Sequence, residues 1–235
     1  HLVIFLRDQK ATPHQQLAFA RKFGEPIEYP QLKGLPESPL ITPVIKLEHE
    51  RNNFGGIWHS DTTYLTEPPM GSMLLAREVP PFGGDTLFAN QYLAYEALSD
   101  GLRKTLDGLV GVSSSAKADV TKTREDRMKA AGAELKVLTA KHPIVRTHPE
   151  TGRKALYLGR RFGSYIPPLP LEDSEALLDA LWAEATREEL TWTQSWRVGD
   201  LIIWDNRCTM HRRESFAGHG RRRMHRLMTL GERPI

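Results

Sequence analysis

His59 and Asp61, in the run His59-Ser60-Asp61, are the first residues of this 235-residue chain whose types and spacing suggest chemistry. On an extended strand, residues i and i+2 point to the same face, so an imidazole and a carboxylate can converge on one ion. A second His-x-acid run, His148-Pro149-Glu150, lies before Thr151-Gly152 and reads as a hairpin turn instead. One more histidine beside His59 and Asp61 would complete a facial triad of two imidazoles and one carboxylate. Such a triad leaves metal positions open for small ligands and favours non-haem Fe(II). His211 is the best candidate, because it follows the strand-like run Leu201-Ile202-Ile203-Trp204 and the turn Asp205-Asn206. His1, His14 and His49 occupy edge or helix contexts.

Residues 207–226 hold seven arginines: Arg207, Arg212, Arg213, Arg221, Arg222, Arg223 and Arg226. They form either a solvated basic edge or an anion site. Arg222 and Arg226 share a face of an extended strand, and a hairpin after His211 could bring that strand beside the metal. Guanidinium binds carboxylate bidentately and keeps its charge when buried. A metal beside two inward arginines suits an anionic chelator, although each arginine alone reads as an ordinary salt-bridge partner.

The elements that must position these groups follow from periodicity. Leu2–Leu6 reads as a buried strand and Thr12-Pro13 as the cap of a helix running to Phe23. Residues 25–39 and 48–56 read as loops, with strands at 39–47, 70–79 and 86–89. Helices are expected at 90–98 and 99–107, then a strand at 110–115. Residues 116–136 are charged and weakly periodic, and read as a surface excursion or lid. Strands 143–147 and 154–158 flank the His148 turn. Residues 172–187 form the best amphipathic helix, with Leu177, Leu178, Leu181 and Trp182 on one face. The tail alternates turns with strands at 190–196, 201–204, 207–213 and 223–230. These elements describe one domain over 1–235, mainly antiparallel strands with flanking helices. The chain opens on an apolar strand at His1, as though an N-terminal segment preceded it.

No run of 18 apolar residues exists, which argues against a membrane-spanning helix. A lone cysteine, Cys208, excludes an intrachain disulfide and fits a reducing cytoplasm. The net charge of +3 is too small to imply a nucleic-acid partner.

Taken together, Trp58-His59-Ser60-Asp61, Gly83-Gly84-Asp85-Thr86, the stretch Thr147 to Tyr157, Trp204-Asp205-Asn206-Arg207, His211 and Arg222 to Arg226 resemble the TauD/TfdA family of Fe(II)- and 2-oxoglutarate-dependent dioxygenases. The resemblance spans almost the whole chain and implies a double-stranded β-helix, or jelly roll. It assigns His59, Asp61 and His211 to Fe(II), and Arg222 with the Thr86 hydroxyl to the distal carboxylate of 2-oxoglutarate. Arg226 matches an arginine near the cosubstrate's metal-bound carboxylate and an anionic substrate. The implied reaction consumes O2 and 2-oxoglutarate, releases succinate and CO2, and hydroxylates a substrate C–H. Where the hydroxylated carbon bears a heteroatom, that bond can then cleave. A sulfonate, sulfate ester or carboxylate is the implied substrate class. Tyr29 falls where taurine enzymes carry a sulfonate-binding histidine. Thr62, Phe162 and the 113–136 stretch are further pocket candidates. Trp58 and Trp204 read as packing residues, and the family suggests a homo-oligomer, dimer or tetramer.

Three rivals remain at this level. A zinc hydrolase could use the same triad but would need neither Thr86 nor the spaced arginines. A non-catalytic jelly-roll binding protein would be expected to lack a ligand. A nucleic-acid module would need a basic surface interleaved with aromatics.

Overall fold

Met73, Leu74, Leu75 and Ala76 are all buried, and so are Leu201, Ile202, Ile203 and Trp204. Strands apolar on both faces need cover on both sides. The structure, a computed structural model, supplies it; residues 1–30, 32–51, 55–116, 137–216 and 220–235 are described. Among these the elements run β1 (Val3–Leu6), α1 (Pro13–Ala20), β2 (Pro26–Ile27), β3 (Thr42–Lys46), β4 (Gly71–Glu78), β5 (Thr86–Asn90), α2 (Gln91–Glu96), α3 (Asp100–Leu106), β6 (Val110–Ser114), β7 (Thr139–Pro143), β8 (Val145–Thr147), β9 (Lys154–Leu156), α4 (Leu171–Ala185), β10 (Thr191–Gln194), β11 (Leu201–Asp205), β12 (Thr209–Arg213) and β13 (Arg222–Thr229).

The major sheet has the order β1-β11-β4-β13-β2, with β3 also paired to β13, and the minor sheet is β10-β5-β12. Every pairing within them is antiparallel. Alternation along the strands sorts the core into layers. Leu74, Ala76, Ile202, Trp204 and Met224 meet Phe88 of β5 between the two sheets. Met73, Leu75, Leu201, Ile203 and Leu227 face outward onto Ala20 and Leu17 of α1. Ala89 and Met210, on the outer face of the minor sheet, pack under Leu178, Leu181 and Ala185 of α4. This is the sandwich expected for a jelly roll.

Local signals explain the element starts. Thr12 caps α1 in a full capping box with Gln15, and Asn90 and Ser99 cap α2 and α3. Gly84, at φ 73°, lies so close to Phe216 that an added Cβ would sit 2.9 Å from its ring, so the turn into β5 requires glycine.

Four expectations are corrected. Leu2–Leu6 was expected as a buried strand, yet Ile4, Phe5 and Leu6 of β1 are exposed, because β1 is an edge strand paired only to β11. The first helix ends at Ala20, and residues 21–23 form a turn. Residues 139–143 pair with β6 as a strand of their own, and β2 lies inside the supposed 25–39 loop. Finally, β13 does not return beside β12 as a hairpin. It lies in the opposite sheet between β4 and β3, so its arginines approach the metal candidates from across the sandwich. Residues 117–136 lie outside the described residues.

Candidate active site

Cross-strand register aims the candidate groups. On β5 and β12, Phe88 stands opposite His211 and Thr86 opposite Arg213. Directly opposed residues share a face. Phe88 points between the sheets, so His211, Thr86 and Arg213 do too. In β13, Met224 points inward and Leu227 outward, which turns Arg222 and Arg226 inward with Met224. Ser72 of β4 shares the inner face with Leu74.

His59 is stitched to β12 by two backbone hydrogen bonds: its N–H donates to the His211 carbonyl at 3.0 Å, and the His211 N–H donates back at 2.8 Å. Asp61 is placed by Asn206, whose Oδ1 accepts from the Asp61 N–H at 2.7 Å and whose Nδ2 donates to the Asp61 carbonyl at 3.2 Å. Ser60 Oγ also donates to the Thr209 carbonyl at 2.8 Å. The segment carrying His59 and Asp61 is thereby fastened to the 205–209 turn.

The three ligand candidates converge. Asp61 Oδ1 lies 3.7 Å from His59 Nε2 and 3.6 Å from His211 Nε2. Asp61 Oδ2 is occupied on its other side, accepting from Ser72 Oγ at 2.8 Å and pairing with Arg226 Nη2 at 2.6 Å. His59 Nδ1 is 2.8 Å from the Ile57 carbonyl, so it carries the proton and leaves Nε2 a lone pair. All three side chains are buried. Burial, with nearby His211 and Arg160, holds the His59 imidazolium well below the usual range. Burial pushes His211 down to about 4. Burial alone would raise Asp61, but Arg226, the two imidazoles and Ser72 outweigh it and hold the carboxyl well below its ordinary value. Neutral imidazoles around an ionised carboxylate are the protonation state a divalent metal requires.

The second half of the site fits a dicarboxylate. Arg222 is 3% exposed, and no carboxylate among the described residues pairs with its guanidinium. Burial, with Arg213 beside it, pushes its pKa well down, an electrostatic cost that a bound anion would relieve. Thr86 Oγ1 accepts from Trp196 Nε1 at 3.0 Å, which leaves the hydroxyl proton available to a ligand. Trp196 also lies beneath the guanidinium of Arg222, 5.4 Å away. Lys46 stands opposite Arg222 on β3, and its ammonium sits 4.0 Å from the Phe216 ring centre. A cationic, aromatic-walled recess thus lies along the inner face from the triad.

The remaining candidates are placed as follows. Arg226 covers the Tyr29 ring at 4.8 Å, so Tyr29 adjoins the Asp61 carboxylate through Arg226. Thr62 is buried with φ 45°, a left-handed conformation that strains a β-branched residue, and its hydroxyl has no hydrogen-bond partner among the described residues. Phe162 is half-exposed and lines an outer groove of about 940 Å3 with Ile57, Trp58, Tyr165, Leu171 and Trp182. Trp204 is fully buried packing, as expected. His148 is structural: Nδ1 accepts from the Glu150 and Thr151 N–H groups, and Nε2 meets Asp205 Oδ2 at 3.0 Å. Asn206, Ser72, Trp196, Lys46 and Arg160 were not singled out from the sequence. Asn206 stood inside a quoted motif, whereas Ser72 carried no signal.

A two-sheet sandwich with an inward triad and a neighbouring arginine–threonine recess defines a metal-dependent oxygenase of the 2-oxo-acid type. The family model described as "Taurine catabolism dioxygenase TauD, TfdA family" matches residues 1–228. The chain belongs to that family, and it is a 2-oxoglutarate-dependent non-haem iron dioxygenase using Fe(II), 2-oxoglutarate and O2. It is 34% identical to an alpha-ketoglutarate-dependent sulfate ester dioxygenase of Pseudomonas putida, over 100% of this chain and 79% of that protein. It is 33% identical to the alpha-ketoglutarate-dependent 2,4-dichlorophenoxyacetate dioxygenase of Cupriavidus pinatubonensis, over 98% of this chain and 85% of that one. The crystal structure of a taurine dioxygenase from Burkholderia xenovorans superimposes with a TM-score of 0.82 at 35% identity, covering 100% of this chain and 78% of that one. Among the described residues, no helix is long and apolar enough to cross a membrane.

Proposed function

We propose that this enzyme hydroxylates an aliphatic C–H of a small organic anion, a sulfonate, sulfate ester or carboxylate, with cleavage of a bond to an adjacent heteroatom where one is present. In this reading His59, Asp61 and His211 hold Fe(II), and Arg222 with Thr86 holds the distal carboxylate of 2-oxoglutarate. The observation that carries it is the buried guanidinium of Arg222, which has no carboxylate partner among the described residues and lies on the inner face shared by the triad. The sulfate-ester and phenoxyacetate relatives support an anionic substrate.

When bound, Fe(II) and 2-oxoglutarate supply oxidising power through O2-dependent decarboxylation to succinate and CO2. The chain's own residues bind, orient and exclude water. Asp61 would present Oδ1 to the metal, because Ser72 and Arg226 hold Oδ2. Ile57 sets the His59 tautomer. Thr86 donates because Trp196 occupies its acceptor side. Tyr29, Thr62 and Arg226 border the substrate space, and Phe162 its outer approach. One catalytic domain, a cytoplasmic site of action and a homo-oligomeric assembly complete the reading.

The test is an anaerobic titration with Fe(II) and 2-oxoglutarate, followed by the weak visible charge-transfer band of the chelate. Wild type should develop the band. Arg222→Ala should need about tenfold or more 2-oxoglutarate, as expected for losing a charge-assisted pair. A band of unchanged affinity in Arg222→Ala rejects the cosubstrate assignment.

A further inference from the structure

Arg160 forms an isolated antiparallel bridge with His59, and His59 forms another with His211. Directly opposed residues on neighbouring strands project to the same face, with Cβ atoms about 5 Å apart. Arg160, His59 and His211 therefore stand in one row on one face, with the arginine at the end away from β12. The backbone forces this approach. Ser60 N–H donates to the Gly159 carbonyl at 3.1 Å, and Gly159, at φ 70°, packs so tightly that an added Cβ would lie 2.6 Å from both Ser113 Oγ and Thr63 Oγ1. Its neighbour behaves oppositely: Arg161 points out to α4 and pairs with Glu175 and Asp179.

Arg160 is 7% exposed, yet no hydrogen bond or carboxylate among the described residues meets its guanidinium. The other arginines at the triad and recess differ. Arg226 is committed to Asp61 Oδ2 at 2.6 Å, and Arg222 lies in the recess beside Thr86 and Trp196. With no carboxylate on it among the described residues, the Arg160 guanidinium has its donors available to a bound anion. Arg213 and Lys46 lie over Phe216 at the Arg222 end of the recess, so once Asp61 neutralises Arg226, Arg160 is, among the described residues, the cation left on the His59 side of the triad.

The geometry points to Arg160 as the residue that binds the substrate's anionic head group, holding it on the His59 side of the metal site. This rests on the anionic-substrate reading above and adds Arg160 to Arg226 as a contact for the head group. The planar fork of a guanidinium matches a sulfate, sulfonate or carboxylate in a two-point contact. An anchored head group would place the adjoining carbons over the metal, which sets the position of hydroxylation.

The experiment is calorimetric titration of anaerobic protein loaded with Fe(II) and 2-oxoglutarate, so that no turnover occurs. The probes are hexyl sulfate, hexanesulfonate, hexanoate and phenoxyacetate, with 1-hexanol as the neutral control. Arg160→Ala should weaken the anions that wild type binds by about 10- to 100-fold, the range for losing a charged hydrogen-bonded contact. It should leave 1-hexanol and the 2-oxoglutarate affinity within about threefold, and Arg160→Lys should recover part of the loss. Arg160→Gln, checked by its thermal melt, serves if the alanine variant does not fold. Unchanged anion affinity overturns the proposal, and so does a loss that falls on 2-oxoglutarate instead. If wild type shows its charge-transfer band but binds none of the four anions, the anionic-substrate reading itself fails and Arg160's role fails with it.

Discussion

Asp61 shows how one carboxylate serves two tasks at once. Its Oδ1 faces two neutral imidazoles while Oδ2 is held by a hydroxyl and a guanidinium. The partners of Oδ2 leave Oδ1 clear for a metal, fix the carboxylate plane and keep it ionised. Asp61→Ala should abolish succinate production while the urea midpoint of the apoprotein stays measurable; undiminished succinate would refute the triad. Ser72→Ala removes one of the two holds on Oδ2. It should weaken metal binding by roughly tenfold, the lower end for losing an outer partner of a ligand. Competition with a metal-sensitive dye measures this, and equal affinity would show that Arg226 alone suffices.

The decisive element is the turn between β11 and β12. Asn206 spends its amide on the Asp61 backbone and on the Pro69 carbonyl, 3.0 Å away, and so ties three chain segments together. Asp205 and Arg207 beside it pair with each other, and Arg207 reaches Glu150 at 2.9 Å. The Trp204-to-Arg207 run and the His148 turn, which are distant in sequence, are thus one hydrogen-bonded unit. Asn206→Ala leaves the buried Asp61 N–H and two carbonyls without partners. It should cost about 2–4 kcal/mol in urea unfolding and loosen the metal site as well. A loss below about 0.5 kcal/mol would mean that the clamp is dispensable. Residues 207–226 divide accordingly: Arg207, Arg213, Arg222 and Arg226 are buried, so the block is mainly an internal charge system rather than a basic edge.

For the whole molecule, the buried histidines tie stability to pH. His225 of β13 is pushed down to about 4 by burial, then by Arg77 and Arg223, with Glu37 opposing. Arg77 Nε donates to its Nδ1 at 3.3 Å, an interaction that needs the neutral ring. Because the folded value lies below the unfolded value of 6.5, the unfolded chain takes up this proton first as pH falls. The stability it contributes is present at neutral pH and is lost as pH drops from about 6.5 toward about 4. The apoprotein's urea midpoint should therefore fall between about pH 7 and about pH 4.5, and His225→Asn should fall less steeply. An identical slope in the variant would place the proton uptake elsewhere. His142, also lowered by burial, adds to the slope in the same direction.

Much of this was readable along the chain. Strand alternation, the capping residues at Thr12, Asn90 and Ser99, and the glycine turn before Thr86 are local effects, and each gave its element within a few residues. That His59, Asp61 and His211 belong together was also legible, because residue type and order along the motifs carry it, and their side chains converge in the fold. Other features depend on which strands become neighbours. β1 looked buried because it is apolar, but its place at the sheet edge exposes it. The arginines of β13 looked alike, yet pairing gave Arg226 a carboxylate and left Arg222 without one among the described residues. Arg160 carried no signal of its own in the sequence, and it is a single bridge that sets it beside His59. Charge compensation and burial arise between segments far apart in sequence, so only the assembled fold reveals which charges remain for a ligand.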